Sequence, residues 1–211
     1  SGDTRFDRVL QTIANPNEYP EIATFKGGST LCIIGSAWPS DMQVLRSFIN
    51  DSPKDTKFLI APHVIENSQL ERISQGIIGT THRYSDNRDI PQDTKVLLLD
   101  TMGMLSSIYQ YGDFAYIGGA FSDGLHNILE AVAFGLPVAY GNKGLEKFPE
   151  SIALAHLKGG FIVQNAQEAS SVLHQLLDVD FRLAASKVCR TYVLENAGAT
   201  QHIMNYLKQG F

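Results

Sequence analysis

The chain carries no excess of positive charge. Its 211 residues include 17 Lys and Arg against 22 Asp and Glu, a formal net charge of −5. A nucleic-acid binder usually shows a basic stripe, so that class is disfavoured. No apolar run approaches the ~18 residues that would span a bilayer, and no signal peptide is visible. Cysteine is scarce. Cys32 lies in a strand-like run and Cys189 on a helical pattern, and both read as buried free thiols of a reducing compartment, not a disulfide or a metal pair. His82, His156, His174 and His202 are scattered, without metal-ligand spacing. Neither G-x-G-x-x-G nor G-K-[ST] occurs, and there is no nucleophile elbow. Repeats and low-complexity segments are also missing. The first residue is Ser1, not Met, as in a piece of a longer protein.

What is present is a globular composition, 44% hydrophobic and 18% charged, at a length suited to one domain or at most two small ones. Short apolar runs alternate with helical patterns. Ser29–Gly35, Lys57–Ala61, Val96–Leu99, Phe114–Ile117, Pro137–Tyr140 and Phe161–Val163 read as strands. Asp41–Asn50, Asn67–Ile73, Met104–Tyr111 and Ile128–Phe134 read as helices between them. From Ala166 onward helices dominate, with a break near Asn196-Ala197-Gly198. This alternation predicts an α/β fold, a doubly wound parallel sheet of Rossmann-like type. Residues 1–21 stand outside it. Asp7–Ile13 reads as a short helix, broken by Asn15-Pro16-Asn17 and Tyr19-Pro20. That is the profile of an interdomain connector ahead of a domain over residues 22–211.

In such a sheet, ligands bind beyond the carboxyl ends of the strands. Four loops lie there: Gly35–Ser40, Pro62–Glu66, Asp100–Gly103 and Gly118–Asn127. The last carries three glycines, Gly118, Gly119 and Gly124, which permit tight turns and close backbone approach to a ligand. Asn127 or Ser122 can cap the helix that follows, and N–H groups at its start attract phosphate. An ordinary Gly-rich connection is the competing reading. Glu130, three residues after Asn127, can accept hydrogen bonds from two ribose hydroxyls, or it can serve as a capping partner of Asn127. Both readings stand at this level. His63 and His126 are candidate phosphate or base contacts. Trp38 reads as core or rim packing, and Met102 and Met104 as packing at a helix start. Asp86, Asp89 and Asp93 read as a solvated loop.

The order of motifs adds a resemblance. Asp100-Thr101-Met102-Gly103-Met104-Leu105, Gly118-Gly119, His126-Asn127-Ile128-Leu129-Glu130-Ala131 and Gly135-Leu136-Pro137-Val138 follow one another. Together they resemble the Kdo (3-deoxy-D-manno-octulosonic acid) transferases of lipopolysaccharide assembly, whose familiar forms are D-T-M-G-E-L, G-G-H-N-P-L-E and G-x-P-V. The opening Gly2-Asp3-Thr4-Arg5-Phe6-Asp7 resembles the stretch that joins the two halves of that family. There are departures. Ser36-Ala37-Trp38-Pro39-Ser40-Asp41 stands where many members read S-T-H-x-G-E. His63 occupies the place of an arginine, Met104 that of a glutamate, and Leu125 that of a glycine.

The resemblance implies the C-terminal half of a GT-B glycosyltransferase that moves Kdo from CMP-Kdo to a lipid A precursor. Such an enzyme is inverting and needs neither metal nor cofactor. The donor nucleotide would fall to Ser36, His63, Thr101, Met102, Gly103, Gly119, Gly124, His126, Asn127 and Glu130. The general base, the acceptor site and any membrane contact would belong to an N-terminal domain at the cytoplasmic face of the inner membrane. This chain would then be a soluble donor-binding half that does not catalyse transfer alone. Competing readings are a GT-B transferase or epimerase using a UDP- or ADP-sugar, and a noncatalytic nucleotide-binding module.

Overall fold

The computed structural model describes residues 2–86, 89–122 and 124–209. Two helices open the chain, α1 (Thr4–Ala14) and α2 (Pro20–Lys26). There follow β1 (Thr30–Ala37), α3 (Pro39–Asp51), β2 (Thr56–Pro62), α4 (Asn67–Ser74), β3 (Thr80–Arg83) and β4 (Thr94–Leu98). Next come α5 (Leu105–Ile108), β5 (Phe114–Ile117), α6 (Leu129–Ala133), β6 (Val138–Tyr140), α7 (Pro149–Leu157) and β7 (Gly160–Ile162). Three helices end the chain: α8 (Ala166–Gln175), α9 (Val179–Asn196) and α10 (Ala199–Gln209).

The strands form one seven-stranded sheet in the order β3-β4-β2-β1-β5-β6-β7, and each pairing is parallel. A parallel sheet needs both faces covered, and alternation along β1 does this. Leu31 and Ile33 join one apolar layer with Phe6 and Val9 of α1, Ile22 and Phe25 of α2, Val132 of α6 and Val193 of α9. Cys32 and Ile34 join the other with Met42, Leu45 and Phe48 of α3 and Leu173 of α8. The doubly wound α/β expectation therefore holds. Both cysteines are free and buried, and burial raises each thiol well above its ordinary range, Cys189 to about 12.

Several elements differ from the sequence expectation for local physical reasons. Tyr19-Pro20 starts a helix instead of breaking one, because proline suits the first helical turn. The edge strand β3 has the sequence TTHR and lacks an apolar alternation, since it is partly exposed. The expected helix over Met104–Tyr111 splits into α5 and a 3-10 turn at Tyr109–Tyr111. The helix after the Gly-rich loop is only five residues long.

The opening segment is tied to the sheet domain by polar contacts as well as by Phe6 and Val9. The Arg5 guanidinium donates to both carboxylate oxygens of Glu150, at 2.9 and 3.0 Å, and Glu150 is 2% exposed. Asp7 accepts the backbone N–H groups of Gly198 and Thr200, at 2.6 and 2.7 Å, at the start of α10.

Candidate functional site

The strand order fixes where a ligand can sit. The chain winds outward from β1 in one direction through β2 and β4, and in the other through β5, β6 and β7. The crevice between the carboxyl ends of β1 and β5 is therefore the topological switch point. The loops after β1 and β5 both open there. At the end of β1 the pairing with β2 shifts register between Ile34 and Ala37, and Ser36 takes φ +50°, a left-handed conformation costly for a non-glycine residue. Strain of this kind clusters at ligand sites.

One buried carboxylate joins the two loops. Asp41, in the first turn of α3, is fully buried. It accepts the N–H of Trp38 at 2.9 Å, the N–H of Gly119 at 3.0 Å and the Tyr116 hydroxyl at 3.0 Å. Burial raises its pKa, and these three donors pull the other way. Glycine is required beside it. A Cβ on Gly118 would collide with the Ser36 carbonyl and lie 2.6 Å from Asp41 Oδ2. Gly119 has φ +94°, and a Cβ there would collide with the Gly124 carbonyl and lie 2.7 Å from His126 Cδ2.

Three rings from three loops stack at this point. Trp38 follows β1, His63 follows β2 and His126 precedes α6. Ring centroids lie 4.6 Å apart for Trp38 and His63, with planes 24° apart. They lie 4.4 Å apart for His63 and His126, with planes 27° apart. Trp38 Nε1 donates to His126 Nε2 at 3.2 Å. The His63 backbone N–H donates to the Ala37 carbonyl at 3.0 Å, which fixes the middle ring's loop.

Asn127 and Glu130 form the second part of the site. The Asn127 carbonyl oxygen accepts the Leu129 N–H at 3.1 Å, and its amide donates to Glu130 Oε1 at 3.2 Å. Asn127 thus holds the first N–H of α6 from one position before the N-cap residue, Ile128, which makes no side-chain cap bond, whereas Ser122 turns back onto the Gly119 carbonyl. Glu130 does not complete a capping box, because its partner is the Asn127 side chain instead of a backbone N–H. Burial raises the Glu130 pKa; the Asn127 amide and the charge of Arg8 lower it. Both side chains line a cavity of about 270 Å³, together with Arg5, Arg8 and Thr12 of α1 and Ser106 of α5.

The expected phosphate cradle is narrower than the sequence implied. Gly124 and Leu125 donate their N–H groups to the Gly119 and Lys143 carbonyls, at 3.0 and 3.2 Å. With α6 so short, its dipole is also weak. The polar donors left near the start of α6 are the Asn127 amide and the Arg8 side chain on the cavity wall. Asp123, in the same loop, lies outside the described residues, as do Ser1, Asn87 and Arg88.

Thr101, Met102 and Gly103 follow β4. Asp100 anchors their loop by accepting the Ser85 N–H at 2.9 Å and the Ser85 hydroxyl at 2.6 Å. Thr101 donates to Met104 Sδ at 2.9 Å. Met104 packs on the core as expected, but Met102 is 82% exposed and does not pack at a helix start. The structure therefore brings Ser36, His63, Gly119 and His126 together around the ring stack. It brings Asn127 and Glu130 together at the α1 cavity, with Gly124 in the loop between. Arg8, Thr12 and Ser106 gave no local signal in the sequence. The i, i+4 spacing of Arg8 and Thr12 marks a helix face, not what that face meets.

This arrangement defines a class. A doubly wound parallel sheet with a Gly-rich loop at its switch point is a Rossmann-like fold, and among the solved proteins that share it are the glycosyltransferases SnogD and WaaG and a candidate UDP-N-acetylglucosamine 2-epimerase. No protein-family model matches the chain. Its relatives include the 3-deoxy-D-manno-octulosonic acid transferase of Aquifex aeolicus, 29% identical over 156 residues, covering 70% of this chain and 42% of that protein. The enzyme of the same name from Haemophilus influenzae is 33% identical over 130 residues, covering 60% of this chain and 30% of that protein. Among solved structures, the C-terminal CMP-Kdo binding domain of WaaA from Acinetobacter baumannii superposes with a TM-score of 0.67 at 22% identity, covering 87% of this chain and 96% of that one. The chain is related to the Kdo transferase family, and it spans less than half the length of the two relatives described.

Proposed function

We propose that this chain is the donor-binding domain of a glycosyltransferase that moves Kdo from CMP-Kdo to a lipid A precursor. The observation that carries the reading is the cavity between α1, α5 and the start of α6. There a carboxylate, an amide and one arginine converge, Glu130, Asn127 and Arg8, beside Arg5, whose guanidinium is held by Glu150 and Asp3. A nucleoside monophosphate needs an acceptor for its ribose diol and donors for its phosphate. Glu130 suits the ribose, and Asn127 with Arg8 suits the phosphate. Ser36, Thr101, Met102, Gly103, Gly119 and Gly124 frame the nucleotide, with His63 and His126 on the ring-stack side.

As the sugar leaves, negative charge grows on the phosphate. Fixed donors and a cationic side chain in a partly water-excluded site stabilise that charge without a metal ion. In this reading residues 1–21 connect two domains and residues 22–211 hold the donor. Inversion at the sugar carbon requires a base on the acceptor hydroxyl. We assign that base, the acceptor site and the membrane contact at the cytoplasmic face of the inner membrane to an N-terminal domain. No helix among the described residues is long and apolar enough to cross a membrane.

The test is calorimetric titration of the chain with CMP, UMP and ADP. Cytosine and uracil exchange a donor for an acceptor on one edge. CMP should bind most tightly. A preference for UMP or ADP would support a UDP- or ADP-sugar enzyme instead, and no binding to any of them would leave a noncatalytic module.

A further inference from the structure

We infer that the cavity at the amino ends of β2, β3 and β4 is a second anion site, built for a small soluble phosphate-bearing anion. It lies at the opposite end of the sheet from the switch-point crevice and does not depend on the nucleotide reading. The sequence Pro-x-Asp-Thr-Lys occurs twice, at Pro53-Lys54-Asp55-Thr56-Lys57 and at Pro91-Gln92-Asp93-Thr94-Lys95. Five residues are too few to read as a structural repeat, but the fold sets the two copies side by side. In each, the threonine N–H donates to the proline carbonyl at 3.0 Å and closes a turn into a strand. β2 and β4 then pair in parallel from Phe58 and Val96, so Lys57 and Lys95 enter neighbouring strands one position earlier.

The two copies share a cavity of about 350 Å³ with Gly79 and Thr80 at the start of β3. Three lysines line it, Lys54, Lys57 and Lys95, against one acidic residue, Asp93, which accepts the Thr80 hydroxyl at 3.1 Å. Among the described residues no salt bridge reaches any of the three lysines. Lys57 donates to the Phe25 and Gln92 carbonyls, at 2.8 and 3.3 Å, which holds its ammonium group in place and leaves a third N–H. Lys95 lies over Gly79, where a Cβ would come 3.1 Å from Lys95 Cδ. Partial burial lowers the pKa of Lys57 and of Lys95, while the charges of Asp93 and Asp51 act the other way on each in turn. Like charges gathered in a half-buried site repel one another, and an anion between them reverses that cost.

A second, independent observation points to a ligand. Thr94 is fully buried and its hydroxyl has no hydrogen-bond partner, yet the residue lines this cavity. A buried hydroxyl is costly to leave unpaired. A phosphoryl oxygen accepts from a hydroxyl and from an ammonium group alike. No apolar side chain lines the cavity among the described residues, so neither an acyl chain nor an aromatic base finds a surface there. That restricts the ligand to a small hydrophilic anion.

Amide correlation spectra of the 15N-labelled chain, titrated with inorganic phosphate at fixed pH and ionic strength, test the site. Saturable shifts should appear at Gly79, Thr80, Thr94 and Lys95. Lys95→Gln, which leaves both carbonyl bonds of Lys57 intact, should weaken phosphate binding about tenfold or more, as for loss of a hydrogen bond to a charged group. Thr94→Val keeps the side-chain shape and removes the hydroxyl. Without phosphate it should melt no lower than the original chain, and phosphate should raise its melting temperature less. The same amide shifts with chloride in place of phosphate, or unchanged phosphate affinity in Lys95→Gln, overturn the inference. So do phosphate shifts confined to Asn127 and Leu129, which would place the anion in the cavity under α1. Retention on phosphatidic acid vesicles but not on phosphatidylcholine vesicles, by a chain that does not respond to free phosphate, overturns it as well.

Discussion

The backbone N–H of Gly119 donates to the side chain of Asp41 at 3.0 Å, across 78 positions of sequence. This bond holds the Gly-rich loop after β5 against the first turn of α3, and the Asp41 carboxylate also accepts the Trp38 N–H and the Tyr116 hydroxyl. Asp41→Ala would leave two backbone N–H groups and a hydroxyl buried without acceptors, a loss of about 3 kcal/mol. Asp41→Asn should cost less than about 1.5 kcal/mol, because its oxygen can take both N–H groups and its amide can donate to the Tyr116 hydroxyl. The two proteins should also differ with pH. Burial raises the Asp41 pKa, so the folded state holds this proton more tightly than the unfolded chain. The resulting stability is complete below the ordinary carboxylate range and is lost as pH rises through the higher folded value. Thermal unfolding across that window should show the original protein losing stability relative to Asp41→Asn. Parallel profiles would contradict the raised pKa.

Gly119→Ala tests the close approach of the loop. The positive φ alone strains an alanine by about 1–3 kcal/mol, and the added carbon meets the Gly124 carbonyl and the His126 ring. The melting temperature should fall, and CMP affinity should fall with it, because His126 must leave the stack. Gly103 also has a positive φ, but a Cβ there meets nothing within 4 Å. Gly103→Ala should therefore show the backbone strain alone. Equal losses in the two variants would argue that crowding at Gly119 is relieved by small shifts.

In the proposed reading Glu130 and Asn127 serve opposite ends of the ligand. Glu130→Ala should weaken CMP binding by about 1.5–3 kcal/mol, the worth of a hydrogen bond to a charged group, while circular dichroism stays native. Asn127→Ala should weaken CMP more than cytidine. It also removes the acceptor for the Leu129 N–H, at a stability cost of about 1 kcal/mol. Calorimetry with both ligands decides between the roles. Equal losses for CMP and cytidine would reduce Asn127 to holding the start of α6.

The strands around the switch point were legible because each is a short apolar run with turn residues beside it. The edge strand β3 was not, since its identity comes from backbone pairing with β4 and not from its side chains. Asn127 and Glu130 could be found because their relationship is local, three residues apart. Arg8 reaches the same cavity only because Phe6 and Val9 dock α1 on the sheet domain near α6, a long-range packing event with no local mark. The ring stack was hidden for a different reason. Trp38, His63 and His126 are each visible as residues, but their adjacency follows from the order β2-β1-β5. Alternation of strands and helices does not specify that order.

Catalysis gives the broadest test. In a GT-B enzyme, donor and acceptor meet in the cleft between two domains, and holding both reactants supplies much of the barrier reduction. In the proposed reading the residues assembled here hold the donor nucleotide. The acidic group best placed to be mistaken for a base, Asp41, is fully buried and engaged by three donors, so it cannot take a proton from an acceptor hydroxyl. The isolated 211-residue chain is therefore expected to bind CMP and to transfer no Kdo. A protein in which an N-terminal domain is joined covalently through the segment ending at Pro20 is expected to transfer it. The measurement is a transfer assay with CMP-Kdo and a lipid A precursor, run on both proteins at equal concentration. Sustained turnover by the isolated chain would refute the two-domain requirement. It would move the search for a base to the Gly-rich loop, where Asp123 lies outside the described residues. Asp123→Asn would then be the next variant to assay.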